Sequence, residues 1–458
     1  MNCPKCGSPV GRNDEYCGSC GHYLMHNISA SGGQRSNKKK SGLLIFIIIL
    51  EIIAIIAVTA AIFFGFSDKK DTDSGKTEVS SSQNNKQPSE EKTESAEPAS
   101  KSDEVAALID KLYVQKRNDT TDEDCTAAKE AWDKLTEAQK KLVKGKKASP
   151  EYFGRYTGDA SKDNPRNQDQ IDENELLVVS FGTSFNDSRV EDIKGIEDKL
   201  TEAYPNWSVR RAFTAQIIIN HIEARDGEII DNMQQALDRA VANGVKNLVV
   251  QPTYLMQGAE YEEMVEAVDE YKDKFESIAI AEPMLGEVGD DATVINEDKR
   301  VVAQAITDAA CQEAGFDDMQ TAAEAGTAFV FVGHGTSHTA DVTYDQMQTQ
   351  MEDLGFTNAF IGTVESESKD TACEEIITKV KDAGFKNVIL RPLMVVAGDR
   401  ANNDMAGADE DSWMSRFGVS GAFDSVGCQI EGLGRLNAVE ELYVEHTKAA
   451  IYALGIPE

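Results

Sequence analysis

Of the eight cysteines in the 458-residue chain, Cys3, Cys6, Cys17 and Cys20 crowd the N-terminus as C-x2-C-x10-C-x2-C. Thiolates at that spacing can close a tetrahedral shell around Zn2+, and the glycine after each pair, Gly7 and Gly21, lets backbone amides turn toward sulfur. A redox reading of the two pairs lacks a surrounding βαβ pattern. A zinc ribbon over residues 1–25 is too short to bury a useful core, so the metal would supply its folding energy. His22 and His26 lie just beyond and read as surface residues. Cys125, Cys311, Cys373 and Cys428 are scattered and read as ordinary buried thiols.

A second set of reactive types lies far down the chain: His334 in GHGTSH, Glu365 in VES and Asp399-Arg400 in AGDR. A neutral imidazole has a free lone pair and a carboxylate has several, so His334 and Glu365 can hold a divalent ion and take up protons. Guanidinium stays protonated and ligates nothing, but it grips carboxylates in a bidentate fork. A lone histidine in H-G-T is ordinarily a core residue; its place at a strand end beside Glu365 turns the reading toward function. Gly333 and Gly335 could cradle a phosphate, yet G-x-G-x-x-G is absent, which argues against a dinucleotide. His338 stands open between a role beside the site and plain surface. His221 and His446 fall in helical patterns and read as structural.

What positions these groups is a duplication. From Glu175 onward short β-rich runs alternate with amphipathic helices, the pattern of a parallel sheet covered on both faces. LLVVSFGTS (176–184) matches FVFVGHGTS (329–337), and GVKNLVVQPTYLMQGAEY (244–261) matches GFKNVILRPLMVVAGDRA (384–401). Between them WSVRRAFTA (207–215) takes the place of NAFIGTVES (358–366); after them SIAIAEPML (277–285) takes the place of residues 426–433. The fold class is therefore α/β, with two similar lobes over residues 175–325 and 326–458 about a cleft. Ligands sit at the carboxyl ends of strands in such sheets. There the second lobe carries His334, Glu365 and Asp399-Arg400, where the first carries Phe181 or Gly182, Thr214 and Ala259-Glu260.

The remaining segments read by composition. Leu43 to Phe66 is apolar except for Glu51 and long enough to cross a bilayer. Arg35, Lys38, Lys39 and Lys40 precede it, whereas Lys69 and Lys70 follow amid Asp68, Asp71 and Asp73, so the ribbon is expected in the cytoplasm and the remainder outside a cell membrane. Glu51 is expected to be neutral and tolerated. Residues 67–102 are rich in Ser, Lys, Glu, Asn and Gln and read as a disordered tether. Val105, Leu108, Ile109 and Leu112, then Ala127, Ala131, Trp132, Leu135 and Leu142, recur at helical spacing and suggest a helical hairpin over 103–147, with a stretch (WDKLTEAQKKLV) similar to helical modules of Gram-positive surface proteins. The formal net charge of -33 excludes a nucleic-acid surface and leaves cations, small molecules and proteins as partners, with oligomeric state open.

The same stretches resemble the anaerobic sirohydrochlorin cobaltochelatases, a class II chelatase family: SFGTS with Asp187, RAFTA (211–215), G-x-E-Y (258–261), GHGT-x-H (333–338), VES (364–366), PLM-x-VAGD (392–399), NDMAG (403–407) and SW (412–413). The resemblance covers nearly everything after the tether. It implies insertion of Co2+ into sirohydrochlorin, a tetrapyrrole rimmed with carboxylates, on the anaerobic route to cobalamin. It also implies a metal held by the His of GHGT, the Glu of VES and a His after AGD. The first two fall on His334 and Glu365; the third falls on Arg400, which cannot ligate. A second departure is Tyr254, where several members carry a His. Arg400, Ser184, Thr214, Tyr254 and His338 are thus expected on the substrate side, with Arg400 either pairing with Glu365 or gripping a substrate carboxylate. Ligand types alone do not choose among Co2+, Ni2+ and Fe2+.

Overall fold

A computed structural model describes residues 97–155, 157–365 and 368–456. The expected zinc ribbon with its four cysteines, the span 43–66 and the tether up to residue 96 lie outside the described residues. Among those described, no helix is long and apolar enough to cross a membrane.

Helices α1 (Glu97–Lys111) and α2 (Thr121–Asp133) pair through Val105, Ile109, Leu112, Cys125, Ala128 and Trp132, all buried. The tether was expected to run to residue 102. The helix instead begins at Glu97, and Ser102 is buried with its hydroxyl donating to the Gln139 carbonyl. Leu142, expected on the apolar stripe, is exposed: a short turn, Glu137–Lys140, capped by Thr136 and Gln139, ends before it, and Val143 takes the buried place. The strap that follows, residues 141–155 and 157–173, is fastened to the first lobe by charges. Asp163 sits fully buried between Arg189 (2.5 Å) and Arg211 (2.7 Å), and Arg166 reaches Glu197 (3.0 Å) and Asp198 (2.6 Å). Burial alone would raise the Asp163 pKa; the two guanidinium groups outweigh it and hold it down to about 2.

Strands β1 (Asn174–Ser180), β2 (Ser208–Phe213), β3 (Asn247–Pro252) and β4 (Ser277–Ile280) form one parallel sheet in the order β2-β1-β3-β4. Strands β5 (Thr327–Gly333), β6 (Ala359–Thr363), β7 (Asn387–Pro392) and β8 (Ser425–Cys428) form a second in the order β6-β5-β7-β8. The orders are one arrangement used twice, as the duplication implied. The middle strands β1 and β5 are continuous apolar runs because helices cover both faces, and every residue of β5 is buried.

The ladders correct one equivalence. Leu176 pairs with Val209, and its counterpart Phe329 pairs with Ala359, so Phe213 corresponds to Thr363 and Ala215, not Thr214, stands in the place of Glu365. The motif match was one residue out on this strand, and such a slip exchanges the two faces of a sheet. The third strands match as expected, which sets Glu260 opposite Arg400.

The lobe boundary also shifts. Helix α7 (Glu297–Ala314), which follows helices α3 (Lys194–Ala203), α4 (Gln216–Asp226), α5 (Met233–Asn243) and α6 (Ala259–Asp269), was expected in the first lobe. It crosses to the second sheet, where Glu313 pairs with Arg391 of β7 (2.8 Å) and the Ala310 carbonyl accepts from Gln429 (3.0 Å). Beyond α8 (Val342–Asp353), α9 (Cys373–Asp382) and α10 (Trp413–Val419), the final helix α11 (Asn437–Ala453) returns to the first sheet, with Thr447 donating to Gln251 of β3 (2.8 Å). A sheet with an uncovered apolar face must recruit a helix, and each lobe takes one from the other. One apolar core consequently runs from Leu176 and Val249 through Tyr443 to Phe329 and Phe331.

Candidate functional site

Past the end of β5 and β6 the ladder continues for two rungs: Val364 N–H donates to the Gly333 carbonyl (3.0 Å) and Glu365 N–H to the His334 carbonyl (2.8 Å). That pairing makes His334 and Glu365 neighbours across the strand ends. The turn between them is tight. Gly335 has φ +85°, and a Cβ there would lie 1.7 Å from the Glu365 carbonyl oxygen, so only glycine fits. Its N–H donates to the hydroxyl of buried Tyr344 (3.0 Å). The exposed His334 ring contacts the Gly335 carbonyl through Nδ1 (3.0 Å); since a carbonyl only accepts, Nδ1 is the donor, and among the described residues Nε2 has no hydrogen-bond partner.

After β7 the chain reaches a π-helical turn, Arg400–Met405. Arg400 Nη2 pairs with Glu365 Oε1, and Nη1 pairs with Asp404 (2.9 Å). Burial alone would lower the Arg400 pKa, but the Asp404 hydrogen bond and the charges of Glu365, Asp404 and Asp399 raise it, so this side chain keeps its proton. The structure thus brings three of the expected residues together as an imidazole, a carboxylate and a cation. Among the described residues no three or more His, Cys, Asp or Glu side chains converge on one point.

The other expected residues fall elsewhere. His338 accepts the Ala340 N–H at Nδ1 (3.1 Å) and donates from Nε2 to Glu262 of α6 (3.2 Å), so neither nitrogen is open; it caps a 3-10 turn and joins the lobes. Tyr254 is buried in the first lobe's core, its hydroxyl beside that of Thr214 without a hydrogen bond of standard geometry. Burial raises its pKa well above the ordinary phenol range, which keeps it neutral. The Ser184 carbonyl accepts from Arg225 (2.7 Å) and from Thr157 of the strap (3.4 Å).

Two further residues were missed. Asn403 Oδ1 accepts from Arg155 of the strap (2.8 Å), and Asn403 Nδ2 donates to Asp399 (2.6 Å). The NDMAG stretch was a signal for Asn403; nothing in the sequence marked Arg155, which precedes the duplicated region.

With that geometry in hand, similarity to known proteins decides the family. Residues 174–452 match the family described as Cobalt chelatase (CbiK). The chain belongs to this cobalt chelatase family. A sirohydrochlorin cobaltochelatase of Salmonella typhimurium is 33% identical over 279 residues, which is 60% of this chain and 96% of that protein. A second, from Nitratidesulfovibrio vulgaris, is 25% identical over 283 residues, covering 61% and 91%. Among solved structures, SirB from Bacillus subtilis with Fe3+ is similar at a TM-score of 0.44 and 14% identity, over 62% of this chain and 98% of that one. In this family member the helical pair α1–α2 and the strap lie ahead of the matched stretch.

Proposed function

We propose that this chain is a membrane-anchored chelatase that inserts Co2+ into sirohydrochlorin. Family membership supports the reaction class, and the observation that carries the reading is the backbone pairing of His334 and Glu365 at adjacent strand ends, with Nε2 of the imidazole unpartnered among the described residues. Metal insertion requires a site that displaces water from the ion and accepts two pyrrole protons as the new bonds form. Nε2 and the carboxylate are chemically suited to both. Arg400 holds Glu365 before substrate arrives; a carboxylate arm of the tetrapyrrole that draws the guanidinium away releases Glu365 for the ion. Residues 43–66 form the anchor in this reading, Cys3, Cys6, Cys17 and Cys20 bind Zn2+ on the cytoplasmic side, and the catalytic region lies outside the membrane.

A second reading is a non-catalytic extracytoplasmic protein that captures a tetrapyrrole or metal ion. What favours it is the Arg400–Glu365 pair, a cation where the family resemblance calls for a third imidazole. One assay separates the two: sirohydrochlorin and Co2+ are mixed with the protein or its His334→Ala variant, and metallation is followed by absorbance. The chelatase reading expects catalysis that His334→Ala abolishes. Equal rates for both proteins would eliminate it, and a spectral shift without turnover would establish the binding role.

A further inference from the structure

Arg155 differs from the other arginines around the site. Arg400, Arg189, Arg211 and Arg225 are each in an ion pair with a carboxylate. Arg155 is exposed and, among the described residues, has no carboxylate within ion-pair distance; its partners are the neutral amide of Asn403 (2.8 Å) and the face of Phe185 (5.5 Å to the ring centre). Those two contacts fix its direction while leaving most of its N–H donors unused. Asn403 belongs to the same π-helical turn as Arg400 and is hydrogen-bonded to Asp399, so the free cation lies on the turn that carries Arg400. Its position is held from behind. The Tyr113 ring, just after α1, packs against that of Tyr152 (5.9 Å), the Tyr152 ring stacks on His221 at 4.2 Å, and Asp163 locks the strap under Arg189 and Arg211.

We infer that the segment ahead of the chelatase region supplies a substrate-recognition residue: Arg155 binds a carboxylate arm of the tetrapyrrole on the rim beside Arg400. The inference rests on the tetrapyrrole reading proposed above. The physical need is plain. Glu365, Asp399 and Asp404 make the turn acidic, the chain carries a net charge of -33, and a polycarboxylate ligand is repelled unless uncommitted positive charge meets it. Arg400 already divides its two terminal nitrogens between Glu365 and Asp404, whereas Arg155 has no carboxylate partner among the described residues and can offer its fork to a new anion.

The test is titration of metal-free sirohydrochlorin, and separately of its fully methyl-esterified form, into the full-length protein and its Arg155→Ala and Arg155→Lys variants. Affinity is read from absorbance, and folding is checked by thermal melting. The expected result is binding of the free acid weakened about tenfold by Arg155→Ala and partly restored by Arg155→Lys, with the ester unaffected by either change. Unchanged affinity of Arg155→Ala for the acid would overturn this inference alone and leave the chelatase reading standing. Equal losses for acid and ester would reduce Arg155 to a clamp on the Asn403 turn and overturn it too. Failure of the unaltered protein to bind sirohydrochlorin would sink both.

Discussion

The two lobes share a sheet order, and they share a turn. Gly182 after β1 and Gly335 after β5 both have positive φ (+98° and +85°), and each packs against the end of the neighbouring strand. Their ionisable groups are used differently. The first lobe turns its charges inward: Arg210 binds Glu175 and Asp231, and Arg211 binds Asp163 and Glu197, all six fully buried. At the matching strand ends it presents Phe181, Ala215 and Glu260. The second lobe presents His334, Glu365 and Arg400. A duplicated sheet is specified by its buried strand residues, so the residues just past the strand ends were free to diverge, and one copy became a support while the other took on reactive groups.

That contrast can be broken most forcefully at Asp163. Asp163→Ala leaves Arg189 and Arg211 without their shared buried partner and should destabilise the protein by about 3–5 kcal/mol in urea unfolding. Because the folded-state pKa is depressed, the stabilisation from Asp163 is complete above about pH 4 and is lost as pH falls toward about 2. A loss under about 1 kcal/mol would mean the inward charges are not what makes the first lobe a support.

The sharpest comparison of the two turns removes the central side chain from each. His334→Ala should lower the metallation rate by about 100-fold or more, whereas Phe181→Ala, at the equivalent place, should leave that rate unchanged. Similar effects at both would erase the division of roles. A smaller effect concerns His221, which donates to the Tyr152 carbonyl (2.9 Å) where the helical pair meets the first lobe. Burial, and then Arg225, lower its pKa to about 4. The unfolded chain then takes up a proton that the folded chain refuses, so stability should fall by about 2.5 kcal/mol between about pH 6.5 and 4. His221→Gln should flatten that part of the profile. Last, Arg400→His removes a cation and adds an imidazole; Co2+ should bind about tenfold more tightly, measured by calorimetry. Tighter Co2+ binding together with a slower metallation of sirohydrochlorin would assign Arg400 to the tetrapyrrole instead.

Much of this was legible in the chain, and the failures have physical causes. LLVVSFGTS and FVFVGHGTS mark β1 and β5 because a strand buried on both faces must be a continuous apolar run ending in a turn that needs glycine. His334, Glu365 and Arg400 could be grouped from strand ends alone. Thr214 was misplaced because WSVRRAFTA and NAFIGTVES share almost no side chains; only the backbone ladder sets their register. The exchange of α7 and α11 left no signal, since an amphipathic helix advertises a buried face without naming what it covers. Arg155 was invisible for a related reason: its partner Asn403 lies 248 residues away along the chain.

The crossed helices constrain how the molecule can be cut and how it can move. Each half keeps the lid of the other, so a chain divided at residue 325 would expose an oily surface on both fragments. A wide clamshell opening would tear the same seam. A large planar guest of the kind proposed would therefore have to be met at the rim, over a base that stays shut.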